Sequence, residues 1–401
     1  MKFDFIQPLL KENNTKIILL VIDGLGGTPL EWGGLTELET AVTPNLDELV
    51  ASGLCGLHSP IGPGITPGSG PSHLALFGYD PRQYQVGRGV LAALGIDFDL
   101  KSQDVAARGN FCTVNERGEV TDRRAGRITT DKNEELCKSL EKIALPDIEL
   151  HVKTVKEHRF LLVLRGEDLS GDISDTDPQD IGVKPIEPMP SSPAGIKSAA
   201  LVSKFIEQAA QILQDHCPAN MVLLRGFSQR PEWPLFDEVF GIKAGAIAAY
   251  PMYLGLAKLI GMKPFHSDNK IEDELDILRS QWKNYDFFYV HIKSTDSAGE
   301  DGDFDRKVRL IEEVDQNIPR IRELEPHVVI VTGDHSTPSV LKSHSWHPVP
   351  TILWARHCRP DRVERFGERD CITGGLGANF PAVDLLPLAL ANAFRLDKYG
   401  A

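Results

Sequence analysis

Several features that would place a sequence quickly are missing here. No apolar run approaches the ~20 residues needed to cross a bilayer, so no membrane-spanning segment is expected. The six cysteines, Cys55, Cys112, Cys137, Cys217, Cys358 and Cys371, form no CxxC pair, which argues against a zinc knuckle or a disulfide framework and for reduced thiols. The opening stretch MKFDFIQPLLKENNTK carries an early acidic residue and has no continuous apolar region followed by a small-residue cleavage site, so export is not expected and the cytoplasm is. Basic residues are outnumbered, 43 Lys and Arg against 57 Asp and Glu. The resulting net charge of −14 argues against nucleic acid, whose phosphates require a broad basic surface. The glycine turn GLGG at 24–27 lacks both the dinucleotide fingerprint and the phosphate-loop lysine, which leaves a plain tight turn. Internal repeats and low-complexity tracts are absent as well.

What is present is a soluble globular composition, 41% hydrophobic and 25% charged, over 401 residues, a length that favours two domains. The stretch HVVIVTGDHSTPSVLKSHSWHPVP (327–350) organises the rest. Val328–Val331 is a short β-branched run suited to a central parallel strand covered on both faces. It breaks off at Thr332 and Gly333, placing Asp334 and His335 at a strand's carboxyl end, where open α/β sheets bind ligands. His344 and His347 follow closely. Two further strands end alike: Ile17–Ile22 runs into Asp23, and Tyr285–Lys293 leads to Asp296 and Glu300 in STDSAGEDGD. A separation of four puts Asp296 and Glu300 on one face if that segment is helical, although Gly299 and Gly302 also permit a tight loop.

The remaining elements are scaffold. TPNLDELVASG (43–53) predicts a helix with Thr43 as N-cap, and about 303–324 predicts another that buries Val308, Ile311, Val314, Ile318, Ile321 and Leu324. Residues 240–262 read as a loop and a buried helix with Lys243 at its start. The Gly- and Pro-rich loop at 62–81 carries Ser69, Ser72 and His73. Taken alone it is a connector with ordinary serines; glycine in such a loop also lets backbone approach a ligand.

From residue 98 to 229 the character changes to short mixed segments rich in arginine, read as a smaller inserted α+β domain between 1–97 and 230–401. Residues 198–214 predict an amphipathic helix within it, with Leu201, Val202, Phe205, Ile206, Ala209, Ile212 and Leu213 inward. Its polar candidates are Arg108, the DRRAGR cluster of Asp122, Arg123, Arg124 and Arg127, then His158, Arg159, Arg165 and Arg225, with Lys243 just beyond it. Arginine grips carboxylate and phosphate bidentately, so a small anionic substrate suits this otherwise acidic chain.

Three strand-end aspartates, imidazoles, Glu300 and a loop serine are the parts of a two-metal site with a hydroxyl nucleophile. Two cations can clamp the attacking and leaving oxygens of a phosphoryl displacement while one lowers the serine pKa. Carboxylate mixed with imidazole favours Mn²⁺ or Zn²⁺ over Ca²⁺, which prefers oxygen throughout.

Nearly the whole chain resembles the archaeal type of cofactor-independent phosphoglycerate mutase, in the alkaline phosphatase superfamily. The motifs that carry the resemblance are VIDGLGG, TPNLDELVASG, PGSGPSHLALFGYDP, DRRAGRI, EHRFLLVLRG, ISDTDP, GIKAGAIAAYP, TDSAG and TGDHSTP through HPVP. The resemblance implies an alkaline-phosphatase-like, mostly parallel α/β sheet flanked by helices, with a metal-binding domain formed by 1–97 and 230–401 and a substrate-binding insert. It implies that Asp23, Ser69, Asp334 and His335 surround one divalent ion and that Asp296, Glu300 and His344 surround the other. Ser69 is preferred to Ser72 because it follows the PG turn and lies four residues before His73, as the nucleophile does in the family's loop. The family usually has histidine at the position of Glu300; an additional carboxylate shifts metal preference from Zn²⁺ towards Mn²⁺ or Mg²⁺. No role is implied for His347.

The implied reaction is isomerisation of 3-phosphoglycerate and 2-phosphoglycerate through phosphoserine, without 2,3-bisphosphoglycerate, in glycolysis and gluconeogenesis. The insert is expected to hold glycerate with its arginines and to exclude water, since hydrolysis of the phosphoserine would make the protein a phosphatase. A metal-dependent phosphomonoesterase or phosphopentomutase of the same superfamily is the enzymatic alternative. A non-catalytic metal- or ligand-binding regulator, suggested by Glu300 and His347, is the alternative outside enzymes. The sequence leaves self-association open.

Overall fold

A computed structural model describes residues 3–400. The chain divides into two compact units, Met1–Gln85 with Trp233–Ala401, and Val86–Glu232. The described strands, in chain order, are β1 (Ile17–Ile22), β2 (Leu54–Ser59), β3 (Val105–Val114), β4 (Val120–Asp122), β5 (Glu149–Lys156), β6 (Arg159–Arg165), β7 (Met221–Ser228), β8 (Ala244–Ala248), β9 (Lys263–His266), β10 (Phe287–Ile292), β11 (Val328–Thr332), β12 (Val349–Ala355) and β13 (Gly377–Pro381).

The first unit holds an eight-stranded sheet in the order β13-β2-β12-β11-β1-β10-β8-β9. All its pairings are parallel except those made by β12, which runs against both β11 and β2. The three apolar runs singled out in the sequence are adjacent central strands, β11, β1 and β10, and every residue in them is buried. This is why they read as continuous rather than alternating: helices cover both faces of a parallel sheet. On one face Ile18, Leu20, Phe288, Val290, Val329 and Val331 form a core with Leu46, Leu275 and Ile311 from three helices. Those helices are Pro44–Ala51, Ile271–Gln281 and Phe304–Arg322. At the start of the first of them the Thr43 side chain makes no cap. Asp315 does so from a distance in sequence, its Oδ1 accepting the Leu46 N–H at 2.8 Å. Among the described residues no helix is long and apolar enough to cross a membrane.

Residues 240–262 differ from expectation, because AGAIA forms strand β8 ahead of the helix Pro251–Leu259. The segment lacks a β-branched run, and pairing with β10 and β9 decides its conformation. A side chain at Gly245 would meet the rings of Phe265 and Phe288 at 3.3–3.5 Å, so small residues suit that strand.

The second unit has antiparallel strands in the order β4-β3-β6-β5, with β7 on the other edge of β3. Its own core joins Phe111, Phe160, Leu162 and Leu224 to Leu201, Val202 and Phe205 of the helix Ile196–Leu213. Of the seven residues expected inward on this helix, Ile206 and Ile212 are only partly buried. The unit begins at Val86, ahead of the expected residue 98, because the helix Arg88–Gly95 packs on β3 and β7. Gly89 permits that contact: a Cβ there would stand 2.2 Å from the Ala106 carbonyl oxygen.

Candidate active site

Parallel register brings the carboxyl ends of β11, β1 and β10 side by side, since Ile22 pairs with Ile292 and Val21 with Thr332. Asp23 follows β1 directly, Asp334 lies two residues beyond β11, and Asp296 sits in the first turn of the helix Ser294–Asp301 that follows β10. Gly24 turns the chain away with φ +67°, and a Cβ there would meet Thr337 Oγ1 at 2.7 Å. Glycine is therefore required for both conformation and space. Ser69, expected in a loop, is the first residue of the helix Ser69–Leu76.

His335 Nε2 is where these groups converge. It lies 3.2 Å from Ser69 Oγ, 3.2 Å from Asp334 Oδ2 and 3.4 Å from Asp23 Oδ1. Asp23, Asp334 and His335 make one set and Asp296, His335 and His344 another, each offering ligand atoms within 4.8 Å of one another. The tautomers follow from hydrogen bonding. Thr337 Oγ1 donates to Asp296 Oδ1 at 2.8 Å and so accepts from His335 Nδ1 at 3.0 Å, which leaves the His335 Nε2 lone pair aimed at the carboxylates. His344 Nδ1 donates to the Pro67 carbonyl at 3.0 Å, leaving its Nε2 3.7 Å from Asp296 Oδ1. Burial holds the His335 imidazole well below its usual pKa, in the neutral form that ligates metal.

Lone pairs therefore face lone pairs. Asp23 Oδ1 and Asp334 Oδ2 are buried and have no hydrogen-bond donor among the described residues. Burial, then the Asp23 and Asp296 charges, raise the Asp334 carboxyl well above the usual range. Burial pushes Asp23 in the same direction, but Lys293 and His291 outweigh it and hold that carboxyl low. Three carboxyl groups and two imidazoles turned inward, with two oxygens unsatisfied, fit divalent cations by donor chemistry.

Sequence reasoning missed several participants. Lys293, seen only as the end of a strand, places Nζ 3.0 Å from Asp23 Oδ2 and 2.5 Å from Asp296 Oδ2. Tyr253 donates to Asp23 Oδ2 at 2.6 Å, and His291 Nε2 lies 3.1 Å from the same oxygen. His73, named on the loop but given no role, donates from Nδ1 to the Ser69 carbonyl at 2.7 Å. A lone histidine inside the otherwise apolar run of β10 was the signal that could have found His291; Tyr253 lies on a helix with no such signal.

Glu300 borders the second set without being among the atoms that lie within 4.8 Å of one another. Its Oε1 is 4.0 Å from His344 Nε2, its side chain is 56% exposed, and it shares a helix face with Asp296 as the spacing of four predicted. His347 is in neither set: Nδ1 contacts Ser345 Oγ at 2.9 Å and its ring stacks on Trp346. Lys243 is not near these residues, a correction to its expected role. It is exposed and immediately precedes β8, whose Ala244 pairs with Phe287, so it lies at the amino ends of the strands.

A family model described as 2,3-bisphosphoglycerate-independent phosphoglycerate mutase matches residues 51–220. A probable 2,3-bisphosphoglycerate-independent phosphoglycerate mutase of Aquifex aeolicus is 50% identical over 408 residues, covering 99% of this chain and 100% of its own. The chain belongs to the 2,3-bisphosphoglycerate-independent phosphoglycerate mutase family. A second such relative, from Thermus thermophilus, is 48% identical over 100% of this chain and 99% of its own. Two solved structures match at 30% identity. One, from Pyrococcus horikoshii, has a TM-score of 0.84 and covers 97% of this chain and 100% of its own. The other, a cofactor-independent phosphoglycerate mutase from Thermoplasma acidophilum, has a TM-score of 0.70 and covers 94% and 100%.

In this family member the insert's cations fall into two places. Arg108 on β3 stands opposite Arg225 on β7, and Asn110 on the same strand stands opposite Arg159 on β6. Arg159, Arg124, Arg108 and Arg127 all act on buried His158; after burial itself, they push its pKa down to about 3. Like charges gathered around a neutral histidine make an anion-attracting surface. Arg123 is bidentate to buried Asp177 at 3.0 and 2.8 Å, and Arg225 lies 3.6 Å from the same carboxylate and 3.6 Å from Asp175. Asp122 is likewise occupied, accepting from the Arg124 and Gly126 N–H groups and holding a turn in which residues 125–127 all have positive φ. Arg165 does not join the cluster, correcting its expected place. It is bidentate to Asp104 at 2.8 and 2.7 Å, at the far end of β6 from Arg159, roughly 20 Å away at the usual rise per strand residue.

Proposed function

We propose that the protein interconverts 3-phosphoglycerate and 2-phosphoglycerate, as a cytoplasmic isomerase of glycolysis and gluconeogenesis, through a phosphoserine at Ser69 and without 2,3-bisphosphoglycerate. The observation that carries this reading is the Ser69 hydroxyl at 3.2 Å from His335 Nε2, where the two ligand sets share a residue. Asp23, Ser69, Asp334 and His335 would hold one divalent cation, and Asp296, His344 and Glu300 a second, with Mn²⁺, Zn²⁺ and Mg²⁺ as the candidates. Such ions supply Lewis acidity towards phosphoryl oxygens and lower the serine pKa.

The chain's own residues do the rest. Ser69 Oγ forms the new bond to phosphorus as the bond to the substrate's 3-oxygen breaks. The serine proton is matched by the proton gained at the glycerate 3-hydroxyl, and the reverse exchange at the 2-hydroxyl regenerates the serine. The helix N-terminus at Ser69 and the Lys293 ammonium both favour the charge that gathers on the phosphoryl group. Arg108, Arg124, Arg127, Arg159 and Arg225 grip the anionic substrate, and Arg123 holds the surface they stand on. The test is a coupled assay from 3-phosphoglycerate to pyruvate through enolase and pyruvate kinase, with each metal supplied in turn and no bisphosphoglycerate. Pyruvate formation is expected; release of inorganic phosphate alone would assign a phosphatase instead.

A further inference from the structure

Lys307 is a fully buried lysine outside the site described above, on the first turn of the helix Phe304–Arg322. Its ammonium donates to the Gly26 carbonyl at 3.0 Å and the Thr337 carbonyl at 2.9 Å. Gly26 belongs to the turn that follows Asp23. Thr337 is two residues beyond His335 and is the residue whose hydroxyl orders His335 and Asp296. The two loops also meet directly, Thr337 N–H donating to the same Gly26 oxygen at 3.0 Å. Gly299 keeps room for this arrangement, since a Cβ there would come 2.3 Å from the Thr337 oxygen. The counter-charge is Glu37, also fully buried, with Oε1 3.8 Å from the ammonium. That oxygen accepts from the Ser339 N–H at 2.8 Å and from the Ser339 hydroxyl, tying in the chain just beyond Thr337.

Burying an ammonium and a carboxylate that are not in direct contact is costly, and a well-packed apolar pair would serve stability as well or better. What an apolar pair could not do is hold two carbonyls, from two loops, at one point. We infer that Lys307 is a positioning residue for metal binding: it fixes the Asp23 turn against the His335–Thr337 loop so that the ligand atoms of both strands keep their spacing. The inference rests on the two-metal reading. Lys307 touches neither the ligand atoms nor a substrate, and acts through the backbone of the loops that carry them.

The experiment is Mn²⁺ titration by calorimetry on the full chain, with thermal unfolding measured in parallel. Lys307→Met keeps the apolar stem and removes the donors; Glu37→Gln/Lys307→Met also removes the carboxylate left without its counter-charge. Outer-shell partners of metal ligands are worth about 10–100-fold in affinity, and a weakening of that order is expected in both variants, with the melting temperature of the double variant restored towards the parent's. That split separates positioning from plain structural support. Parent-like affinity in either folded variant overturns the inference. Should Lys307→Met fail to fold, the double variant, which leaves no buried charge without its partner, decides: an affinity weakened by about 10–100-fold supports the assignment and a parent-like affinity overturns it. A parent chain that binds neither Mn²⁺ nor Zn²⁺ defeats the two-metal reading itself, which is a different result from a parent that binds and variants that bind equally.

Discussion

Replacing Lys293 with methionine tests the charge balance of the site. Its ammonium lies 3.0 Å from Asp23 Oδ2 and 2.5 Å from Asp296 Oδ2, and it is the basic side chain in direct contact with a cluster that also contains Asp334. In metal-free protein, losing it leaves three crowded carboxyl groups without that cation. Removing one partner of a buried pair costs about 3–5 kcal/mol, and the 24% exposure of the lysine side chain lowers this to roughly 2–3 kcal/mol. For a unit of this size that corresponds to about 5–10 °C in melting temperature. Bound divalent cations neutralise the same carboxylates, so the loss should shrink when Mn²⁺ is added. Differential scanning calorimetry of parent and Lys293→Met, in chelator and in Mn²⁺, measures both quantities. An equal drop under the two conditions, or no drop in chelator, would refute the reasoning, because the lysine would then act by packing alone.

Three further outcomes are expected. Glu300→Ala should reduce metal content per chain from two towards one by elemental analysis while Glu300→His keeps two; unchanged stoichiometry in the alanine variant removes Glu300 from the ligands. Arg124→Ala/Arg127→Ala should lower 2-phosphoglycerate formation more than phosphate release measured in the same reaction, each lost charge-assisted contact being worth about 1.5–3 kcal/mol, whereas Arg123→Ala should chiefly lower the melting temperature because Arg123 neutralises buried Asp177. Burial raises the Glu274 carboxyl from 4.5 to about 8, so the folded chain retains a proton that the unfolded chain loses, and stability falls as pH rises through that window. Glu274→Gln should therefore match the parent near the bottom of the window and melt higher above it; parallel melting curves against pH would show that Glu274 does not titrate there.

How much could be read in advance followed the physics of each element. The strands β1, β10 and β11 are legible because burial on both faces produces continuous apolar runs, and the aspartates at their ends become visible as interruptions. Strand β8 was not legible, since AGAIA takes its conformation from pairing with β10 and β9 and not from its own propensity. Spacing located Asp296 and Glu300 on one helical face but could not say that one is buried and the other open. The arginines could be counted but not sorted. Whether an arginine faces a ligand or a neighbouring carboxylate depends on partners such as Asp104 and Asp177, which lie about 50–60 residues away along the chain. Lys243 and Lys293 show the same limit: two lysines beside apolar strands, one at the amino end and one at the carboxyl end, where only the second meets the chemistry.

The central claim is phosphoryl transfer through Ser69, and trapping the phosphoenzyme tests it most directly. Enzyme quenched in acid during turnover of 3-phosphoglycerate, digested and analysed by mass spectrometry, should carry phosphate on Ser69, and Ser69→Ala should form neither phosphoenzyme nor 2-phosphoglycerate. Phosphate found on Ser72 with activity retained in Ser69→Ala, or turnover that begins only when 2,3-bisphosphoglycerate is added, would contradict it.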